Sequence, residues 1–207
     1  VLGEAQILAQ VKACHKHAIE KADPEAGIEV AGAGGKIITK MLNAGIRMGK
    51  LVRTKTKIGK GSVSVSSAAV ELMMSKALQD LKKYSNNVKV SILGAGKMSR
   101  LLLLALFSKH PEQEVVVVNR NVENAQAVLE EDLVKARGGQ NASVAGMDKM
   151  WDVVKSSDVV FAATGAKVPI INKEDLQDLE RPLMLVDISV PLNIASDCRD
   201  VAGGDSY

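Results

Sequence analysis

Gly94, Gly96 and Ser99 stand in a G-x-G-x-x-S spacing directly after the run Val88-Lys89-Val90-Ser91-Ile92-Leu93. The spacing is one residue away from the dinucleotide fingerprint G-x-G-x-x-G/A. Each position has a physical task. Gly94 lets the chain turn sharply off a strand, with Ala95 next in the turn. Gly96 has no side chain, so a pyrophosphate can approach the backbone. The small Ser99 lets a helix opened by Lys97 and Met98 pack against the sheet. The amino end of that helix offers free N–H groups and a positive dipole end to phosphate. The competing reading is a plain tight strand–helix turn. The β-branched run before it and the apolar-periodic segment 97–109 after it supply the context that a nucleotide site requires.

Further groups able to do chemistry fall at predicted strand ends. The apolar run Val115-Val116-Val117-Val118 ends at Asn119-Arg120. A site for the unphosphorylated dinucleotide usually carries Asp or Glu there, to hold the ribose 2′-hydroxyl. An amide and a guanidinium stand here instead. Arg120 can grip a 2′-phosphate in a bidentate manner where a carboxylate would repel it, so the residues favour NADPH over NADH. The alternative is a solvated Arg120 at a strand end. Thr164-Gly165 follow the run Asp158-Val159-Val160-Phe161-Ala162-Ala163, and Asp187 and Pro191 follow Leu183-Met184-Leu185-Val186. Asp187 fits a ligand-facing position and a loop cap equally well.

These groups need a scaffold, and the periodicities supply one. Strands are expected near 88–93, 114–119, 141–145, 158–165 and 183–189. Helices are expected over 62–84, 97–109, 122–135, 147–155 and 173–179. Alternation of this kind predicts an α/β fold, a doubly wound parallel, Rossmann-like sheet with ligands at the carboxyl ends of its strands. Ahead of it, 6–21 and 36–51 read as helices. Ile7, Leu8, Val11, Cys14 and Ala18 form the apolar stripe of the first, and Ile37, Ile38, Met41, Leu42 and Ile46 that of the second. Cys14 is therefore expected in a core. Two helices cannot bury two stripes alone, so 1–60 is expected to be the tail of a domain and 61–207 the dinucleotide domain, truncated at its end.

Composition narrows the field. The 207 residues carry a net charge of +3 with 25% charged residues, as a globular chain does. Aromatics are 2%, too few for a base-stacking platform. Cys14 and Cys198 lie far apart and show no metal-ligand spacing, which fits a reduced compartment. No run of eighteen apolar residues predicts a membrane span. A start at Val1 reads as a fragment or a processed form. Lys36, Lys40, Arg47, Lys50, Arg53, Lys55, Lys57 and Lys60 occur with no acidic residue between them. They form either a solvated face or a phosphate-binding surface for RNA.

The stretch 3–12, Gly-Glu-Ala-Gln-Ile-Leu-Ala-Gln-Val-Lys, resembles the G-E-P-Q-I-L-G-Q-V-K stretch of the glutamyl-tRNA reductase family. Residues 49–58, Gly-Lys-Leu-Val-Arg-Thr-Lys-Thr-Lys-Ile, resemble its G-K-x-V-R-T-E-T-x-I stretch, and 61–72 are close to the plant and algal form. Gly94-Ala95-Gly96-Lys97-Met98, Asn119-Arg120 and Asp187-Ile188-Ser189-Val190-Pro191 match its cofactor domain in order. Departures are Ala5 for Pro, Lys55 for Glu, Ser99 for Gly and Asn121 for Ser or Thr. The family's T-C-N-R-x-E nucleophile motif and its long helical dimerisation region are absent, so the chain is similar to the middle of such an enzyme.

The resemblance implies NADPH-dependent reduction of glutamyl-tRNA to glutamate-1-semialdehyde, in tetrapyrrole biosynthesis, through a cysteine thioester. It implies that Glu4, Ala5, Gln6 and Gln10 border the glutamyl group, that the whole enzyme is a homodimer, and that a plastid, or otherwise the cytoplasm, is its location. Neither Cys14 nor Cys198 matches the nucleophile, so 1–207 alone is expected to be inactive. A shikimate-dehydrogenase-like NADP oxidoreductase and a non-catalytic NADPH-binding regulatory module are the alternatives.

Overall fold

The computed structural model describes residues 5–19, 34–56, 64–179 and 181–201. The chain divides into two compact units, Val1–Ser64 and Val65–Tyr207. The sequence put this boundary after Lys60, and residues 57–63 lie outside those described.

The first unit holds two helices, α1 (Ala5–Ile19) and α2 (Gly35–Lys55). Small residues let them approach closely. A Cβ added at Gly34 would lie 2.7 Å from the Ala18 Cβ, and one at Gly49 would lie 2.9 Å from a Leu8 methyl. The half-buried residues of α1 are Leu8, Val11, His15 and Ala18. Those of α2 are Thr39, Leu42, Ile46, Gly49 and Arg53, one stripe at helical spacing. The expected stripes are thus only partly right. Ile7 and Cys14 are exposed, as are Ile37, Ile38 and Met41. Cys14 is not a core residue: it falls one position off the inward-facing row 8, 11, 15, 18.

The second unit opens with α3 (Val65–Asp80), whose buried side is Ser66, Ala69, Val70, Met73 and Ala77. The helix stops at Asp80 rather than near Tyr84, because Lys82 takes a left-handed conformation with φ 55°. The sheet follows. Its strands are β1 (Val90–Leu93), β2 (Val115–Asn119), β3 (Ala142–Gly146), β4 (Val159–Ala162) and β5 (Met184–Asp187). They are all parallel, in the order β3-β2-β1-β4-β5. β1 and β4 are buried at every residue, as strands covered on both faces must be.

Helix α4 (Lys97–Lys109) returns from β1 to β2 and buries Leu102, Leu103, Leu106 and Phe107. With α3 it covers the face formed by Val90, Ile92, Val117 and Phe161. Past β2, the expected helix 122–135 is two helices, α5 (Val122–Glu130) and α6 (Asp132–Lys135). Glu131 has ψ 133°, which breaks the run. On the other face α7 (Met150–Ser156) packs Met150 and Val154 against Leu93, Val118 and Val160, with Trp151 alongside. The expected helix at 173–179 is a single 3₁₀ turn, Lys173–Leu176, opened by Asn172 and Asp175 in a reciprocal cap.

A charge cluster ties the amino ends of the strands. Asp158, just before β4, accepts from Lys83 Nζ at 2.8 and 2.9 Å, from the Lys89 amide at 2.8 Å and from Arg181 Nη1 at 2.9 Å. Burial pushes its carboxyl up, but these hydrogen bonds and the charges of Lys83 and Arg181 outweigh burial and hold it below the ordinary value of 3.8.

Candidate functional site

The opposite, carboxyl edge of the sheet carries the candidate site. Strands β2 and β3 lie to one side of β1, and β4 and β5 to the other, so the order in which strands are added to the sheet reverses between β1 and β4. A crevice opens at such a point.

Gly94 closes β1 with φ +105°, a conformation that a side chain disfavours. Its amide donates to the Val118 carbonyl at 2.7 Å, and a Cβ on it would lie 2.5 Å from the Ala163 carbonyl oxygen. The turn is thereby pressed against the ends of β2 and β4. Gly96 differs in kind. It is exposed at the N-cap of α4 with φ −94°, and a Cβ there would meet nothing within 4 Å. No side chain caps this helix end. The first amides of a helix lack intrahelical partners, so those following Gly96 are available to an anion. Lys97 is exposed, Ala95 and Met98 are half-buried, and Ser99 is buried with its hydroxyl unpartnered.

At the end of β2, Asn119 is half-buried and its Nδ2 donates to the Asn121 carbonyl at 2.7 Å. Arg120 is exposed. Asn121 accepts from the Asn124 amide at 2.9 Å and so caps α5. Its side chain is committed to the helix, a role Ser or Thr would fill as well.

Past β4, Thr164 is half-buried and its hydroxyl is engaged twice. It donates to Asn193 Oδ1 and accepts from the Ala166 amide at 3.0 Å. Its amide donates to Asn193 Oδ1 as well, at 3.2 Å, so both the hydroxyl and the amide of Thr164 are held within the protein. Gly165 is exposed, with open space where a Cβ would lie.

Asp187 ends β5 and accepts from the amides of Ser189, Asn193 and Ile194 at 2.9, 2.7 and 2.8 Å. Of its two readings, it is the loop cap. Asn193, fully buried, was not singled out by sequence reasoning. A lone Asn in a strand-ending loop after Pro191 gives only a generic turn signal.

The structure thus brings Gly94, Ala95, Gly96, Lys97, Met98, Ser99, Asn119, Arg120, Thr164 and Gly165 to one edge of the second unit. The glutamyl-site candidates belong to the first unit. Glu4 lies outside the described residues, Ala5 and Gln6 open α1, and Gln10 is exposed on it. The thiols differ. Cys14 is exposed, while Cys198 is buried and its pKa is raised by burial and by the nearby charge of Asp197. Cys198 therefore stays a neutral, poorly nucleophilic thiol at neutral pH. Among the described residues no helix is long and apolar enough to cross a membrane.

A family model described as shikimate / quinate 5-dehydrogenase matches residues 75–207. Glutamyl-tRNA reductase of Picosynechococcus sp. is 43% identical over 208 residues, covering all of this chain and 44% of that protein. Its counterpart in Trichodesmium erythraeum is 43% identical over 97% of this chain and 42% of its own length. The solved glutamyl-tRNA reductase of Methanopyrus kandleri superposes over 97% of this chain and 46% of its own, with a TM-score of 0.52 and 29% identity. The chain spans less than half the length of these relatives. Their likeness includes the helical unit, which the family model does not reach. By its sheet unit the chain belongs to the shikimate / quinate 5-dehydrogenase family, and along its whole length it is homologous to glutamyl-tRNA reductases.

Proposed function

We propose that this chain is the NADPH-binding portion of a glutamyl-tRNA reductase together with part of the domain that holds glutamyl-tRNA. The observation that carries the cofactor reading is Gly96. It leaves open space at the uncapped amino end of α4, beside the reversal point of a parallel sheet. The amides of 96–99 would hold the pyrophosphate, with Gly94 and Ala95 shaping the turn. Arg120, beside Asn119, would pair with the 2′-phosphate. The backbone of Thr164 and Gly165 would border the nicotinamide half. A reduced nicotinamide bound there supplies a hydride. Likeness to reductases through 1–74, where the dehydrogenase model does not match, favours glutamyl-tRNA over a shikimate-like substrate.

In this reading Glu4, Ala5, Gln6 and Gln10 border the glutamyl group, and the product is glutamate-1-semialdehyde. Lys36, Lys40, Arg47 and Lys50 are exposed and fall within one sector of α2 at 100° per residue. They suit the phosphates of a tRNA, a contact that weakens with salt. Arg53 sits half-buried on the inward stripe, Lys55 is exposed but falls outside that sector, and Lys57 and Lys60 lie outside the described residues, so the proposed contact rests on the first four. Residues 1–207 alone do not reduce glutamyl-tRNA, because neither thiol stands in the nucleophile's motif. The whole enzyme is a homodimer, and a plastid location accords with the cyanobacterial relatives.

Titration with NADPH and NADH tests the cofactor choice. The chain binds NADPH at least about tenfold more tightly. Arg120→Asp abolishes or reverses the preference. Equal affinities in the unmodified chain contradict the proposal.

A further inference from the structure

Two loops meet at the carboxyl edge of the sheet: 163–171 after β4 and 188–195 after β5. Asn193 joins them. Its Oδ1 accepts from the Thr164 amide at 3.2 Å and from the Thr164 hydroxyl. Its Nδ2 donates to the Ala166 and Pro191 carbonyls at 3.1 and 3.3 Å. Its own carbonyl accepts from the Ile170 and Ile171 amides at 2.7 and 3.2 Å, and Asp187 holds its amide. Both ends of the buried amide are therefore used, and three of the four side-chain bonds go to 164–166. That segment abuts the glycine turn: a Cβ on Gly94 would lie 2.5 Å from the Ala163 oxygen and 3.1 Å from the Thr164 Cα. The turn is also tied to β2, the Gly94 amide donating to the Val118 carbonyl at 2.7 Å, and Arg120 at the end of β2 lies on the far side of β1 from β4.

We propose that Asn193 is a positioning residue for the nicotinamide half of the cofactor: without touching the ligand, it fixes the Thr164–Gly165 backbone that borders this half. The inference rests on the NADPH reading above. Its signature is a split between the two halves of the cofactor. The adenine half is held by the β1 turn and Arg120 and does not need 164–166 in place. The nicotinamide half does.

The test compares NADPH with 2′,5′-ADP, which carries the phosphorylated adenosine but no nicotinamide, by calorimetry on the full chain. Asn193→Ala weakens NADPH by about tenfold, the scale of one or two lost neutral hydrogen bonds, and changes 2′,5′-ADP by less than about twofold. Asn193→Asp keeps the acceptor for Thr164 and loses the donor to Ala166, so its NADPH affinity falls between those of the unmodified chain and Asn193→Ala. Should Asn193→Ala fail to fold, read by loss of both ligands and of far-ultraviolet dichroism, Thr164→Val decides, since it removes the same bond from the half-buried side. It too must weaken NADPH and spare 2′,5′-ADP. Equal losses on both ligands, or no loss on NADPH, overturn the inference while leaving the cofactor reading standing. Failure of the unmodified chain to bind NADPH overturns both.

Discussion

The two units bury their apolar residues very differently. In the sheet unit the apolar strands and α3, α4 and α7 close a core on both faces, and Phe161, Ile92 and Met73 are wholly inaccessible. In the helical unit no described residue is buried, and Ile37, Met41, Met48 and Leu51 stand in solvent at 46–75% exposure. Both are rich in apolar residues, so composition does not separate them. Partners do. A parallel sheet receives helices on both sides from its own crossovers. Two antiparallel helices have one interface between them, and α2 carries more apolar surface than that interface can cover.

The contrast makes the largest expected effect a truncation in the sheet core. Phe161→Ala destabilises the sheet unit by about 3–5 kcal/mol in urea denaturation, whereas Met41→Ala changes stability by less than about 0.5 kcal/mol. Comparable effects would break the comparison.

Glycine contacts sharpen it next. Gly94→Ala costs about 2–4 kcal/mol, because φ +105° and a backbone oxygen both oppose the added Cβ. Gly49→Ala costs less than about 1 kcal/mol: only a Leu8 methyl must swing aside, and Ala favours the helix. Thermal unfolding of the two variants measures both.

Acid gives the third and smallest separation. Asp158 is held below its ordinary pKa, so its contribution is present above pH 3.8 and is lost as pH falls through the lower folded value. The described residues of the helical unit contain no Asp or Glu at all. Lowering the pH below about 4 therefore weakens the sheet unit first, and Asp158→Asn, costing about 1–3 kcal/mol at neutral pH, flattens that acid limb. Lys83 and Arg181 are 43% and 36% exposed, which places the cost below that of a fully buried pair. An unchanged acid limb in the variant would remove Asp158 from the account.

Much of the sheet unit was legible because its signals are local and redundant. The run 115–119 is apolar at four consecutive positions, and the glycine turn sits between a strand and a helix whose bounds, 97–109, came out as read. Stops were harder to read. The helix at 65–80 ends two residues ahead of the left-handed Lys82, and the break at Glu131 is a matter of one ψ angle, with no Gly or Pro to announce either. In the helical unit the apolar positions were plain but their inward face was not. Cys14 and Met41 look as apolar as Leu8 and Ile46, and the approaches of Gly49 to Leu8 and of Gly34 to Ala18 fix the row that faces inward. At the candidate site, the glycines and Arg120 were singled out by their types. Asn193 was not, because its importance lies in partners distant in sequence, Thr164 and Ala166. The two possible roles of Asp187 could be separated only by the three amides it accepts from.

The central claim is that the dinucleotide lies at the carboxyl edge between β1 and β4. Amide resonances followed by nuclear magnetic resonance during a NADPH titration test it most directly. The account predicts the largest shifts at Gly94, Gly96, Lys97, Arg120 and Gly165, with the amino edge at Lys89 and Asp158 unmoved. Shifts confined to the amino edge or to the helices of the first unit, or none at saturating NADPH, would contradict it.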